Sequence, residues 1–131
     1  MAETEPPRPT DAELEILKVL WRRGPSTVRE VFETFGETKG TGYTTVLKTM
    51  QIMADKGLVV RDESERAHRY EPAAPEDETQ RRLVGDLLRK AFDGQAAKLV
   101  MQALSSERAS AEELSEIRSM LDELERKGGG D

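Results

Sequence analysis

The stretch that most constrains this chain is residues 41–70. It reads Thr-Gly-Tyr-Thr-Thr-Val-Leu-Lys-Thr-Met-Gln-Ile-Met-Ala-Asp-Lys-Gly, then Leu-Val-Val-Arg, an acidic turn, and Ala-His-Arg-Tyr. The pattern predicts a helix of about fifteen residues that ends at Gly57 and feeds directly into a short β-hairpin. On a wheel of about 100° per residue, Tyr43, Val46, Leu47, Met50, Met53 and Ala54 share an arc of about 120°. Thr44, Thr45, Lys48, Gln51, Ile52 and Asp55 fall outside it. One face is therefore core, and the other carries mostly short hydrogen-bonding side chains with a single cation. Such a face can approach a DNA groove closely, because threonine and glutamine are compact and bond base edges or phosphates. An ordinary amphipathic helix with a solvated polar face has the same pattern, and the helix alone does not choose between the two.

Three motifs narrow the choice. Tyr43-Thr44-Thr45-Val46, Asp55-Lys56-Gly57-Leu58-Val59 and Arg66-Ala67-His68-Arg69-Tyr70 together resemble the BlaI/MecI family of bacterial repressors. The resemblance extends over residues 10–127 with the elements in the same order. It implies a mainly α protein with a small β-hairpin wing (α+β class), in which a winged helix-turn-helix over residues 10–74 precedes a helical dimerisation domain over 75–127. It implies a sequence-specific repressor that binds double-stranded DNA as a homodimer on a palindromic operator. On that reading Thr41, Thr44, Thr45 and Lys48 lie nearest the DNA, with Lys39 just before the helix. Arg66 and Arg69 on the hairpin's return strand reach phosphates or a minor groove, and His68 on the same strand is a hydrogen-bonding residue of the DNA-binding wing. Related repressors are induced when a membrane metallopeptidase sensor detects a β-lactam and the C-terminal domain is cut at an Asn-Phe pair. The matching positions here are Gln102 and Ala103, a departure from that pair. A copper-responsive branch uses a cysteine cluster, and this chain has no cysteine.

Composition bounds the rest. Without cysteine there are no disulfides, zinc fingers or thiol nucleophiles, and His68 is the only histidine among 131 residues. No metal or cofactor is expected. No apolar run is long enough to span a membrane, and the opening Met-Ala-Glu-Thr-Glu-Pro-Pro is too polar for a signal peptide, so a cytoplasmic protein is expected. The net charge is −6. Residues 1–75 carry 11 Lys/Arg against 13 Asp/Glu, a net of −2; residues 76–131 carry 9 against 13, a net of −4. DNA binding by such a chain depends on local placement of cations and is salt-sensitive.

Residues 1–9 read as a flexible arm. Thr10-Asp11-Ala12-Glu13 has capping-box spacing for a helix to about Arg23, with a stripe of Leu14, Leu17, Leu20 and Trp21 and with Ile16 near its edge. Trp21 suits a core anchor or a ligand-stacking ring. Ser26 and Thr27 open a second helix, Thr27-Val28-Arg29-Glu30 being another capping box, and Val28, Val31, Phe32 and Phe35 face inward. A loop at 36–40 completes the helix-turn-helix. Gly57 suits the residue just past the third helix. Residues 58–60 and 67–71 read as strands around a polar turn at 62–65. Pro72-Ala73-Ala74-Pro75 is a stiff linker. Helices follow at about 76–92, 95–104 and 110–127, the last opened by a capping box at Ser110-Ala111-Glu112-Glu113, and residues 128–131 are a tail.

These last three helices are too short and too narrowly apolar to be secure alone. Leu83, Leu87, Leu99, Leu114, Ile117, Leu121 and Leu124 need a second surface, either the chain's own winged helix or a second copy. Two alternatives to a repressor remain at this point. An enzyme lacks support, since no base, nucleophile and oxyanion donor converge. A winged helix that binds protein only, as an adaptor, is separable from a repressor by a DNA shift assay.

Overall fold

The computed structural model describes residues 7–36 and 40–128. Helix α1 (Asp11–Arg23) starts where the sequence places it. The Thr10 hydroxyl accepts the Glu13 N–H at 3.2 Å, and a Glu13 carboxylate oxygen accepts the Thr10 N–H at 2.9 Å. Its buried stripe is Ile16, Leu17, Val19 and Leu20. This corrects the expected stripe. Leu14 and Trp21 lie at its margin and Ile16 at its centre, because α1 is gripped by α3 (Tyr43–Lys56) on one side and by strand β2 (Arg69–Pro72) on another. Trp21 acts as an anchor: its indole N–H donates to the Ala74 carbonyl at 3.0 Å and ties down the linker.

Helix α2 (Val28–Val31) is capped by Thr27 and Glu30 and runs on into a π-helical turn, Phe32–Gly36. Ser26 does not open it. Its N–H donates to the Tyr70 carbonyl at 3.0 Å and its carbonyl accepts the Tyr70 N–H at 2.8 Å, so it forms an isolated bridge to β2. The Ser26 hydroxyl is fully buried, donating to the Gly24 carbonyl and accepting from Arg23 Nε.

Helix α3 buries Val46, Met50 and Met53. It ends on Gly57, which takes φ 87° and ψ 15°. The Gly57 N–H donates to the Ala54 carbonyl and the Leu58 N–H to the Met53 carbonyl, which turns the chain straight into the hairpin. Strands β1 (Val59–Asp62) and β2 pair antiparallel, with Val59 opposite Pro72 and Arg61 opposite Tyr70. Leu58, Val59 and Tyr70 close the core beneath them. The return strand begins at Arg69, two residues later than expected, so Arg66 and His68 lie in the loop that joins the strands.

Helix α4 (Glu76–Phe92) has three acidic residues in its first turn, where the helix dipole favours them. The chain divides into two units after Val84, within α4. In the first unit Thr79 is buried, and Leu83 lines a cavity of about 180 Å³ with Leu17 and Leu58. The second unit holds the rest of α4, which stops at Asp93 and Gly94 (both at positive φ), then α5 (Ala96–Ser106) and α6 (Ala111–Gly128). The Ser110 capping box is formed, with the Ser110 N–H on Glu113 at 2.8 Å and the Glu113 N–H on the Ser110 hydroxyl at 3.0 Å. No residue of α5 or α6 is buried. None of the described helices is long and apolar enough to cross a membrane.

Candidate nucleic-acid interface

The N-terminal half of α3 presents Thr44, Thr45 and Lys48 on an exposed face, with Gln51 one turn further on. Neither threonine hydroxyl and no Lys48 proton is engaged by another described residue, whereas Thr49 spends its hydroxyl on the Thr45 carbonyl at 2.8 Å. Thr41 is half-buried in the segment just before α3. Gly42 caps the helix without a side chain, so the amides of the first turn have no side-chain acceptor among the described residues. Ile52 is 44% exposed.

Tyr43 departs from the expected core position and is 38% exposed. It heads α3 as the first residue of the helix. Its ring packs edge-on against Phe32, centroids 5.8 Å apart, and the Arg29 guanidinium lies 5.1 Å from its centroid. Arg29, Tyr43 and Gln51 form one wall of a groove of about 710 Å³, and Arg61, Arg66 and His68 of the hairpin form the other. Arg29 and Arg61 were not singled out from the sequence. The only signal for Arg61 is its strand position opposite Tyr70, and it becomes meaningful once the register is known. Lys39 lies outside the described residues.

The electrostatics of the groove are internally paired. Arg61 Nε donates to Glu63 at 2.7 Å; its guanidinium is held above the ordinary arginine value by Tyr70 and then Glu63. Arg69 bonds Glu30 at 3.3 Å and lies 4.0 Å from Glu65. Arg29 lies 3.9 Å from Glu33. Arg66 alone among these arginines pairs with no carboxylate of the described residues. Asp62 accepts the Ser64 N–H at 2.9 Å, which bends the loop and holds that carboxyl below its usual range.

The leucines and isoleucine expected at a dimer contact differ in exposure. Leu87, Leu114, Leu121 and Leu124 are exposed, and Leu83, Leu99 and Ile117 are half-buried. Val84, Val100, Met101, Leu104 and Met120 are exposed as well. Gln102 and Ala103 sit exposed within α5, where the Gln102 carbonyl accepts the Ser106 hydroxyl at 2.6 Å.

The comparisons with known proteins agree with this geometry. A family model described as penicillinase repressor matches residues 9–123. A Mycobacterium tuberculosis protein named transcriptional regulator BlaI is 36% identical over 116 residues, covering 88% of this chain and 83% of that protein. The penicillinase repressor of Bacillus licheniformis is 25% identical over 117 residues, covering 89% and 91%. Among solved structures, the DNA-binding domain of the repressor BlaI superposes with a TM-score of 0.51 at 25% identity, covering 58% of this chain and 93% of that one. The monomeric form of Bacillus licheniformis BlaI in complex with the blaP half-operator gives 0.50 at 26%, covering 56% and 90%. The chain belongs to the penicillinase repressor family, whose members are winged-helix transcriptional repressors and not enzymes.

Proposed function

We propose that this protein represses transcription as a homodimer on a palindromic operator, each copy laying α3 in the major groove with the hairpin as a wing on the flanking backbone. The observation that carries the reading is the exposed set Thr44, Thr45 and Lys48 on the N-terminal half of α3, the part of a recognition helix that meets base edges. A relative solved on a half-operator has the same fold. The exposed leucines of α4 and α6 support self-association, since an isolated copy leaves them in water. Two half-site contacts then add in free energy, and a twofold protein reads a twofold site. Residues 10–74 act as the reading head and 75–127 as the dimerisation segment. Family membership supports a cytoplasmic protein relieved by a membrane metallopeptidase sensor. A cut at Gln102–Ala103 first requires α5 to open locally, because a protease takes an extended strand and this bond is helical.

The test is binding to DNA from upstream of the protein's own gene. Thr44→Ala/Thr45→Ala should lose roughly 1–3 kcal/mol of specific affinity for each base contact removed. Unchanged affinity in a normally folded double mutant refutes the placement, and no binding by the wild type to its own or any palindromic upstream site favours a protein-only adaptor.

A further inference from the structure

We propose that Glu30 is a specificity-determining residue, which keeps Arg69 and Arg23, beside the DNA-facing groove, in ion pairs until correctly placed phosphates displace it. The proposal rests on the reading of the groove as the DNA face. One Glu30 oxygen takes Arg69 at 3.3 Å and the other lies 3.7 Å from Arg23. The carboxylate is not a loose surface group. The oxygen that takes Arg69 also accepts the Thr27 N–H at 2.9 Å, and the Glu30 N–H returns to the Thr27 hydroxyl at 3.1 Å. The helix cap therefore fixes the position of the charge. The Thr27 N–H, then Arg69 and Arg23, keep this carboxyl below its ordinary range, so it stays ionised at neutral pH.

An arginine held this way contributes little to loose association. On random DNA the phosphates track the protein at no fixed register, and Arg69 has no reason to leave a carboxylate held in place. Non-specific affinity comes almost entirely from such phosphate contacts, so the pairing suppresses it selectively. On the operator, α3 fixes the register and brings a phosphate to the guanidinium, which then exchanges one anion for another. Arg29 with Glu33 and Arg61 with Glu63 repeat the arrangement around the same groove, and Arg66 is left to make the first contact.

Glu30→Gln tests this, because glutamine also serves at that position of a capping box and removes only the charge. Random duplex DNA should bind about two- to fivefold more tightly, the range that release of exposed ion pairs allows. The slope of log affinity against log salt should steepen by up to roughly 2 per monomer. Operator affinity should rise less, so the specificity ratio falls. Arg69→Ala in the Glu30→Gln background should cancel most of the gain, which a merely structural effect of the substitution would not do. Glu33→Gln, which leaves the α2 cap untouched, should move random-DNA binding the same way. If Arg66→Ala and Thr44→Ala/Thr45→Ala weaken binding while Glu30→Gln and Glu33→Gln both leave random-DNA affinity and slope at wild-type values, the role of Glu30 is overturned. If none of these variants changes binding, the DNA-face reading itself fails.

Discussion

Replacing Lys56 by methionine should destabilise the winged-helix unit through a group on a different helix. Glu13 is only 4% exposed, and both its oxygens take Lys56 Nζ, at 2.8 and 3.0 Å. The pair joins the first turn of α1 to the last turn of α3. Methionine keeps most of the lysine stem and removes the charge, leaving the Glu13 carboxylate buried with only the Thr10 N–H. Breaking a fully buried pair costs about 3–5 kcal/mol. The lysine side chain is 35% exposed, so water already screens it and can replace part of what it gives. A loss of about 2 kcal/mol is the expected result, a large share of the ~5 kcal/mol that holds a small domain together. The loss should also depend on pH. Burial pushes the Glu13 carboxyl up, but Lys56 and Thr10 outweigh it and hold it below the ordinary range. A carboxyl lowered in this way adds stability that is complete above the ordinary glutamate value and is lost as pH falls through the lower folded value. Without Lys56, two of the contributions that oppose burial are gone, and the mutant's carboxyl protonates at a higher pH than the wild type's. The difference between the proteins should therefore be full near neutrality and shrink as the pH approaches about 4. Trp21, the only tryptophan, sits on α1 and reports unfolding of this unit by fluorescence in urea. A difference below about 0.5 kcal/mol at neutral pH, or one that does not change with pH, would refute the reasoning.

Three further outcomes are expected. On random duplex DNA, Arg66→Ala should make the salt slope of binding shallower by about 0.9 per monomer, whereas Arg69→Ala should change it by clearly less because Glu30 already occupies that guanidinium; equal effects there would count against the pairing. Leu121→Asp should shift the protein toward monomer in light scattering at micromolar concentration while far-UV circular dichroism is retained, and a wild type that already scatters as a monomer would rule out the homodimer. Gly57→Ala should cost about 1–2 kcal/mol in urea unfolding, because φ 87° is a left-handed angle and the cost is conformational with no steric neighbour to relax.

What could be read in advance and what could not differ in physical range. The three capping boxes at Thr10, Thr27 and Ser110 all form, because each is complete within four consecutive residues. The glycine stop of α3 is equally local. The polar face of α3 was legible because exposure follows from helical periodicity once one side is apolar. Periodicity does not say how far a neighbouring element reaches, and so it placed Tyr43 in the core when Phe32 and Arg29 cover its ring only in part. It also set the stripe of α1 too narrow, since that helix has two neighbours. Ser26 was misread because a bridge to Tyr70 leaves no trace in the residues beside it. The loop between β1 and β2 has no fixed turn signal such as Asn-Gly, so the start of the return strand slipped by two residues and put His68 on it, with Arg66 at its edge. The partners of the cations were hidden most fully. Arg69 meets Glu30 across 39 residues and Lys56 meets Glu13 across 43. Sequence counting treats every arginine near the wing as an available charge. A net of −6 then looks like an obstacle to binding a polyanion. The geometry alters that question. Carboxylates beside the groove are not simply repulsive background, because they are the ground-state partners of the same guanidinium groups that phosphate would take. An anion exchange between two fixed positions depends on whether phosphate or carboxylate is better placed, and only weakly on the total charge of the chain.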